Sequence, residues 1–557
     1  MLRKISPTLV ATCASLLLAM SSGCAFSAEN QLLVEKLDAL PPFFALEDGQ
    51  VRPEEIKAFY AAHGFRPVWK EARLAALRHE IAQLADDGLN PNHYTPPALT
   101  EATAQDETQR IAQDMLATVA YLQALHDVRF GALPVAQRER LWRTEDEAER
   151  EANTATRERE RLFADAASQL DDLAGAFQRA RPPLDTYHRL RAQYAQMRQQ
   201  PAPSWPRIPE GTTLRPGQRS ARVPLLRQRL LPEDTPDSAS TDRFYDPQLA
   251  EAVRQFQRAH GLNADGNVGQ ATREALNVPY ARRQQQLRAN LERLRWLATP
   301  DNLLNAHIVL ANIPEATVRY VRDGQTVWQA RVQVGQRSRA TPPLRSEIEQ
   351  VTLNPTWTVP PTILKEDKLP RLREDPEYLA RQRMRVLDRS GQELDPASID
   401  WNDPPPGILL RQDAGAGNAL GQAILRFANP FAIYLHDTPS KRLFAQDQRA
   451  TSSGCVRVEH IMELVRMLLE DTGTMQNDEL RALLASGKTH KVELLTTVPI
   501  LIAYWTADVA DNDDGGSTLR FLPDVYQRDT PLIELLNAAE NRHTRLPLYL
   551  TIPADHD

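Results

Sequence analysis

FAIYLHDTPSKRLFAQDQRATSSGCVRVEH, from Phe431 to His460, is the stretch whose reading decides the fold. It opens on an alternating run, FAIYL, that reads as a strand. With a side-chain period of two, Tyr434 and His436 share one face of it. Thr451 to Gly454 are small residues, and Gly454 immediately precedes Cys455. From Glu459 onward Ile461, Leu464, Val465 and Leu468 mark the apolar face of a helix that Gly473 stops. The expected layout is a histidine at a strand end and a thiol at a turn feeding a helix N-terminus.

Such placement suits a nucleophile. A free thiol has a pKa of about 8.5 and is mostly protonated at neutral pH. A nearby imidazole, a helix N-terminus and a cation such as Arg457 each favour the thiolate. Backbone N–H groups at Gly454 and Cys455 are candidates to hold an oxyanion. The arrangement fits acyl transfer through an acyl-enzyme. Against it stands a buried, inert cysteine, a common fate for free Cys. Two histidines compete as the base, His436 on the strand and His460 on the helix, and His436 is preferred. Asp437, through its carbonyl or its carboxylate, is the candidate to orient the ring. A structural strand-end role for His436 is the alternative.

Upstream of this stretch the pattern is β. HIVLANI, ATVRYV and VWQARVQVG are short β-branched runs from His307 onward, with Arg322-Asp323-Gly324-Gln325 as a hairpin turn. A Pro-rich, charged insertion at about 355–415 interrupts them, with a helical piece expected near Pro376 to Arg385. Long insertions of this kind act as lids or binding loops. Trp357 and Trp401 are candidate substrate platforms, or anchors of the insertion to the body. Residues 281–298 read as a basic helix ending in Trp296.

Further upstream, residues 217–278 read as a three-helix module. Asp246-Pro247 opens its second helix, Gly261 stops it, and Asp265-Gly266 makes a turn. Prolines at 201, 203, 206, 209 and 216 precede it as a linker. Residues 29–200 show helical periodicity without a catalytic cluster and read as scaffold, with a charged, solvated segment at Arg138 to Arg161. Residues 1–28 read as an export signal: Arg3 and Lys4, then an apolar run from Leu9 to Met20, then small residues. Ser-Ser-Gly-Cys resembles a lipoprotein processing site, with Ser21 where Leu is usual, so a lipid anchor at Cys24 stays open. The expected location is the periplasm.

The totals agree. A chain of 557 residues is too long for one core. Its net charge of −7 argues against nucleic acid as a partner. It has three cysteines, and Cys13 and Cys24 lie in the expected signal. A lone thiol outside the cytoplasm, where cysteines normally pair, calls for a reason. The twelve histidines show no HExxH-like spacing, so neither metal nor cofactor is expected.

Two resemblances follow from these residues. Phe256, Gln257, Gly261, Leu262, Asp265, Gly266, Gly269 and Thr272 match the signature of three-helix peptidoglycan-binding domains. His436, a gap of fifteen, then Ser452, Ser453, Gly454, Cys455, Val456 and Arg457 resembles the motif of L,D-transpeptidases with a YkuD-type catalytic domain. Two positions depart from it: Ser453 stands for a second histidine and Arg457 for an asparagine. YLHDTP and SSGCVRV are closest to the large branch of that family, with a scaffold, a peptidoglycan-binding module and a lid.

The resemblance implies a multidomain α+β protein: helical scaffold at 29–200, binding module at 217–278, mainly β catalytic domain at 300–510, and a C-terminal extension at 511–557. It implies an enzyme in which Cys455 takes the acyl group of a peptidoglycan stem tetrapeptide, between meso-diaminopimelate and D-Ala, and releases D-Ala. His436 would serve as acid and base, supported by Gly454, Ser453, Asp437, Tyr434 and Arg457. Transfer to a neighbouring stem would give a 3→3 cross-link, transfer to water a carboxypeptidase, and transfer to a lipoprotein lysine a wall anchor. Carbapenems would acylate Cys455. The alternatives are a non-catalytic wall-binding scaffold and a thiol amidase acting on wall-linked peptides.

Overall fold

The computed structural model describes residues 27–40, 51–95, 106–139, 141–231, 237–297, 307–375, 377–511 and 516–540. The export-signal reading, with Cys13 and Cys24, falls almost entirely outside these residues; Ser27 caps the first described helix, α1 (Ala28–Asp38). No helix among the described residues is long and apolar enough to cross a membrane.

The N-terminal third is helical: α1, then α2 (Pro53–Ala62), α3 (Glu71–Gln83), α4 (Glu107–Phe130), α5 (Glu145–Ser168), α6 (Leu173–Ala180) and α7 (Asp185–Gln199). α4 is buried along most of its length, and α1, α2, α3, α5 and α6 pack around it. α5 carries the charged sequence expected to be solvated, and only Glu147, Phe163, Ala166 and Ala167 of it are buried.

Three short helices follow, α8 (Val223–Leu230), α9 (Pro247–Ala259) and α10 (Gln270–Leu276), around their own apolar core. The Gln257 side chain explains much of this module's motif. Its amide donates to Asp265 Oδ1 (3.1 Å), Asn267 O (2.9 Å) and Thr272 Oγ1 (3.2 Å), and its oxygen accepts from the Gly266 N–H (2.8 Å). One buried amide thus satisfies the whole turn, which is why Gln, Asp-Gly and Thr recur at that spacing.

The basic segment forms α11 (Tyr280–Arg295), in which every residue from Gln286 to Arg295 is buried. Two of its cations are paired with acids. Arg293 pairs with Glu139 (2.7 Å) and Asp529 (2.6 Å), and Arg295 with Glu292 (2.9 Å). Arg288 Nε donates to Gly88 O (2.9 Å), and Asn290 exchanges hydrogen bonds with Thr506 (2.8 and 2.9 Å). The helix therefore touches the scaffold, the β domain and the C-terminal segment at once.

The C-terminal half is built on a nine-stranded sheet: β1 (Ile308–Asn312), β2 (Thr317–Arg322), β3 (Gln325–Gly335), β4 (Leu344–Leu353), β9 (Ala423–Phe427), β10 (Leu435–His436), β11 (Ala450–Ser452), β12 (Val456–Val458) and β13 (His490–Ala503). The strand order is β11-β3-β12-β10-β9-β4-β13-β1-β2, and β3 also pairs with β2, so the sheet closes on itself. Both faces are covered, which accounts for the unbroken apolar runs. Val309 and Ala311 of β1 face the core shared with α12 (Ile461–Asp471). Ile308 and Leu310 face the core shared with α7 and α11.

The insertion is a small unit with a sheet of its own, β5 (Trp357–Thr358), β6 (Met384–Leu387), β7 (Glu393–Leu394) and β8 (Leu409–Gln412), in the order β5-β8-β6-β7. Its main helical segment lies at 361–374, earlier than the sequence suggests; only one turn, Tyr378–Arg381, falls near Pro376 to Arg385, where β6 begins. The middle of that segment is a π-helix, Leu364–Lys368. Pro370 has no N–H to offer Glu366 O and would clash with it, which displaces the ladder to the Leu369 N–H to Leu364 O bond.

The C-terminal segment adds a hairpin, β14 (Ala507–Asp511) with β15 (Ser517–Phe521), and α14 (Asp529–Glu540), where α13 (Asn477–Ala485) precedes them in the β domain. Leu532, Ile533 and Leu536 pack against α11 and Leu133.

Candidate active site around Cys455

β10 and β12 run parallel with Leu435 opposite Val456 and His436 opposite Arg457. The Val456 N–H donates to Tyr434 O (3.1 Å), which extends that pairing back to Tyr434 and Cys455. With a period of two, Tyr434, His436, Cys455 and Arg457 lie on one face of adjacent strands. The Tyr434 and His436 rings meet edge to face at 5.6 Å between centroids.

Local structure departs from the sequence reading in two places. The strand expected over Phe431 to Leu435 shortens to Leu435–His436, because Ala432 is left-handed (φ +53°) and the Asn429 side chain accepts from the N–H groups of Phe431 (3.1 Å) and Ile433 (3.0 Å). The thiol also does not feed a helix directly. β12 and a left-handed His460 (φ +54°) intervene before α12 begins at Ile461. A helix dipole acts within the first turn, so it gives Cys455 little. His460 itself is exposed at the start of that helix.

Cys455 is half-buried, with Sγ 3.7 Å from Ala432 O. Burial raises the thiol pKa above its ordinary value, against the opposing pull of Tyr434 and the Arg457 charge. The preceding turn is held by Ser452, whose hydroxyl donates to Cys455 O (2.6 Å) and accepts from the Gly454 N–H (3.2 Å). Gly454 sits at φ +116°, where other residues are strained, although a Cβ there would meet nothing closer than 3.8 Å. Of the two N–H groups expected to face an oxyanion, that of Gly454 is engaged by Ser452. The Cys455 N–H donates to no acceptor among the described residues.

His436 is buried, and its Nδ1 lies 2.5 Å from Asp437 O. A carbonyl only accepts, so Nδ1 carries the proton and Nε2 is left as an acceptor. The Asp437 carboxylate does not orient the ring. It accepts from the Gln422 N–H (3.0 Å) and pairs with Lys441. Burial first, and the Arg457 charge second, push the imidazole down to about 3. Near neutral pH the site thus holds a neutral thiol and a neutral imidazole, not a preformed ion pair.

Arg457 is half-buried. It donates to Gln333 Oε1 (3.2 Å), while its Nε and Gln333 Nε2 are buried with no partner. Ser453 accepts from Arg339 (3.0 Å). Trp357 and Trp401 are 9% and 7% exposed and belong to the apolar core of the insertion, against which Tyr434 of this face packs.

Residues 306–489 match the family described as "L,D-transpeptidase catalytic domain" (YkuD). The chain carries a YkuD-type L,D-transpeptidase domain. Residues 54–193 match a "Scaffold domain" and residues 219–276 a "Putative peptidoglycan binding domain". A Haemophilus influenzae protein named "Putative L,D-transpeptidase" is 37% identical over 247 residues, 44% of this chain and 48% of that protein. The chain thus matches about half the length of this relative. A solved L,D-transpeptidase from Xylanimonas cellulosilytica is 16% identical over 53% of this chain and 99% of its own, with a TM-score of 0.17, a likeness too slight to carry an argument.

Several residues around Cys455 had no signal in the sequence. Thr341 Oγ1 donates to Gly454 O (2.7 Å) and accepts from the Gly335 N–H (2.8 Å). Tyr526 of the C-terminal segment donates to Gly335 O (2.6 Å) and accepts from the Thr341 N–H (3.1 Å). Arg339 spans from Ser453 to Asp367 (2.7 Å) and Glu366 (2.5 Å) in the insertion. Only the length of the insertion hinted that something must hold it to the site.

Proposed function

We propose that the protein is a cysteine-dependent peptidoglycan L,D-transpeptidase that forms 3→3 cross-links. The observation that carries this reading is Cys455 beside Tyr434 and His436 on one face of paired strands, with the histidine tautomer fixed by Asp437 O. His436 Nε2 takes the thiol proton as sulfur attacks the carbonyl between meso-diaminopimelate and D-Ala. The free Cys455 N–H stabilises the oxyanion. His436 then returns the proton to the leaving D-Ala amine. A side-chain amine of a second stem attacks the thioester, His436 takes its proton, and the C–S bond breaks with that proton passed to the departing Cys455 sulfur. Arg457 and Gln333, with unpaired buried N–H groups, are placed to receive a substrate carboxylate. Ser453 cannot move protons as a histidine would, so His436 carries every transfer.

The helical module at 217–278 would hold the enzyme on the wall, and export to the periplasm follows from the substrate. A lipoprotein lysine is a second acceptor of the same chemistry. Mass spectrometry after meropenem treatment tests the nucleophile. A single adduct on wild type and none on Cys455→Ala is expected, and an equal adduct on both would overturn it. Tetrapeptide muropeptides incubated with the enzyme should yield cross-linked dimer and free D-Ala. Tripeptide alone would mean a carboxypeptidase, and no product a wall-binding scaffold.

A further inference from the structure

A cavity of about 510 Å³ lies where the three-helix module, α11, the β domain and the C-terminal segment meet. Four arginines line it, and each donates only to neutral oxygens. Arg282 reaches Thr530 Oγ1 (2.5 Å), Arg283 reaches Gln286 Oε1 (2.9 Å) and Ala275 O (3.1 Å), and Arg337 reaches Gln527 Oε1 (2.5 Å). Arg449 reaches the backbone oxygens of Gln446 and Glu315 (both 3.0 Å), and its Nε is buried with no partner. None of the four forms an ion pair among the described residues. Arg283 is 8% exposed, and desolvation first, with the Arg229 charge second, lowers its pKa to about 9 against the opposing pull of Asp529.

Two of the five acids that line the same cavity are paired with arginines outside it. Glu315 pairs with Arg319 and Arg520, Asp529 pairs with Arg293, and Asp524 accepts from Tyr504 and two backbone N–H groups. Glu274 accepts only from Gln270, and Asp447 only from the Asn263 N–H. Four guanidinium groups therefore face three carboxylates, Glu274, Asp447 and Asp524, that form no ion pair among the described residues. Ile313, Val334 and Leu522 add aliphatic wall between them. The complement is a zwitterionic ligand with aliphatic segments and more carboxylates than ammonium groups.

We propose that this cavity is a second binding site for a wall stem peptide, separate from the stem that Cys455 attacks. The proposal rests on the substrate class given above. A wall-linked stem tetrapeptide carries three carboxylates and one ammonium, so its carboxylates outnumber its ammonium as the four guanidinium groups require. The cavity is joined to the thiol loop by the chain itself. Val334 and Arg337 flank Gln336, whose N–H donates to Ser452 O (2.9 Å), and Ala450 of the lining begins the strand that ends at Ser452. A stem seated here holds a neighbouring strand of polymer against the module while the first is processed.

Calorimetric titration of full-length Cys455→Ala protein with disaccharide tetrapeptide tests the site. Saturable binding is expected, weakened at least tenfold by Arg449→Gln and by Arg337→Glu, with the melting temperature of each variant as the check on folding. Arg337 is exposed, so its charge reversal leaves the fold intact even where Arg449→Gln does not. An unchanged Kd in folded Arg337→Glu protein, equal binding of the disaccharide without its peptide, or no binding at all would overturn the proposal. Meropenem adduct formation reads the Cys455 proposal independently, so the two failures are distinguishable.

Discussion

His436 shows how burial sets the working form of a side chain. Its imidazole is neutral down to about pH 3, and the thiol beside it is raised above the ordinary range. Acylation by meropenem should therefore keep its rate between pH 7 and pH 5 and climb as the pH rises toward the thiol pKa. Stopped-flow acylation across that range checks this, and an acid limb near 6.5 would contradict it. The stability sign follows from the same shift. In the unfolded chain the imidazole titrates near 6.5, so below that pH the unfolded state binds a proton that the folded state refuses. This group's contribution is unaffected above about 6.5 and turns against folding as the pH falls from there toward 3. His436→Gln should lose less of its melting temperature between pH 7 and pH 4 than wild type.

At the scale of elements, the two residues that sequence spacing singles out reach one face because Tyr434 and His436 obey the strand period and Gly454 allows the turn before Cys455. What braces them was not legible. Thr341 lies 113 positions from Gly454, Tyr526 lies 185 from Thr341, and nothing local marks contacts that exist only after the sheet closes. The strand between the thiol and α12 was missed because three residues carry too little pattern to separate from a turn. The insertion was legible as an interruption but not as a folded unit, since its apolar residues are spread among prolines and charges. Its tie to the site is Arg339, which joins Ser453 to Glu366 and Asp367 of the helical segment. Arg339→Ala should speed hydrogen exchange over residues 361–374 and lower kcat/KM. The loss of stability should stay under about 1 kcal/mol, because the carboxylates it leaves are partly hydrated.

Across the whole molecule, the segments are joined through α11. Arg293 is 4% exposed and pairs with two carboxylates far apart in the chain, Glu139 and Asp529. Arg293→Ala leaves both without that partner and should cost about 3–5 kcal/mol, read as a lowered urea midpoint. The basic composition of α11 was plain in the sequence. That its charges point inward was not, because their partners lie 154 and 236 positions away.

The position of α11 also bears on how the gene can be cut. The helix falls between the segments that match the binding module and the transpeptidase domain, 219–276 and 306–489, and belongs to neither. Leu287, Leu291 and Leu294 nonetheless cover Ile308, Leu310 and Leu501 of the sheet. A fragment trimmed to the family border at residue 306 would bare that apolar face to water and should aggregate on expression. One that starts at residue 279 keeps the cover and should stay in the soluble fraction, so the unit to clone is set by what the sheet rests on.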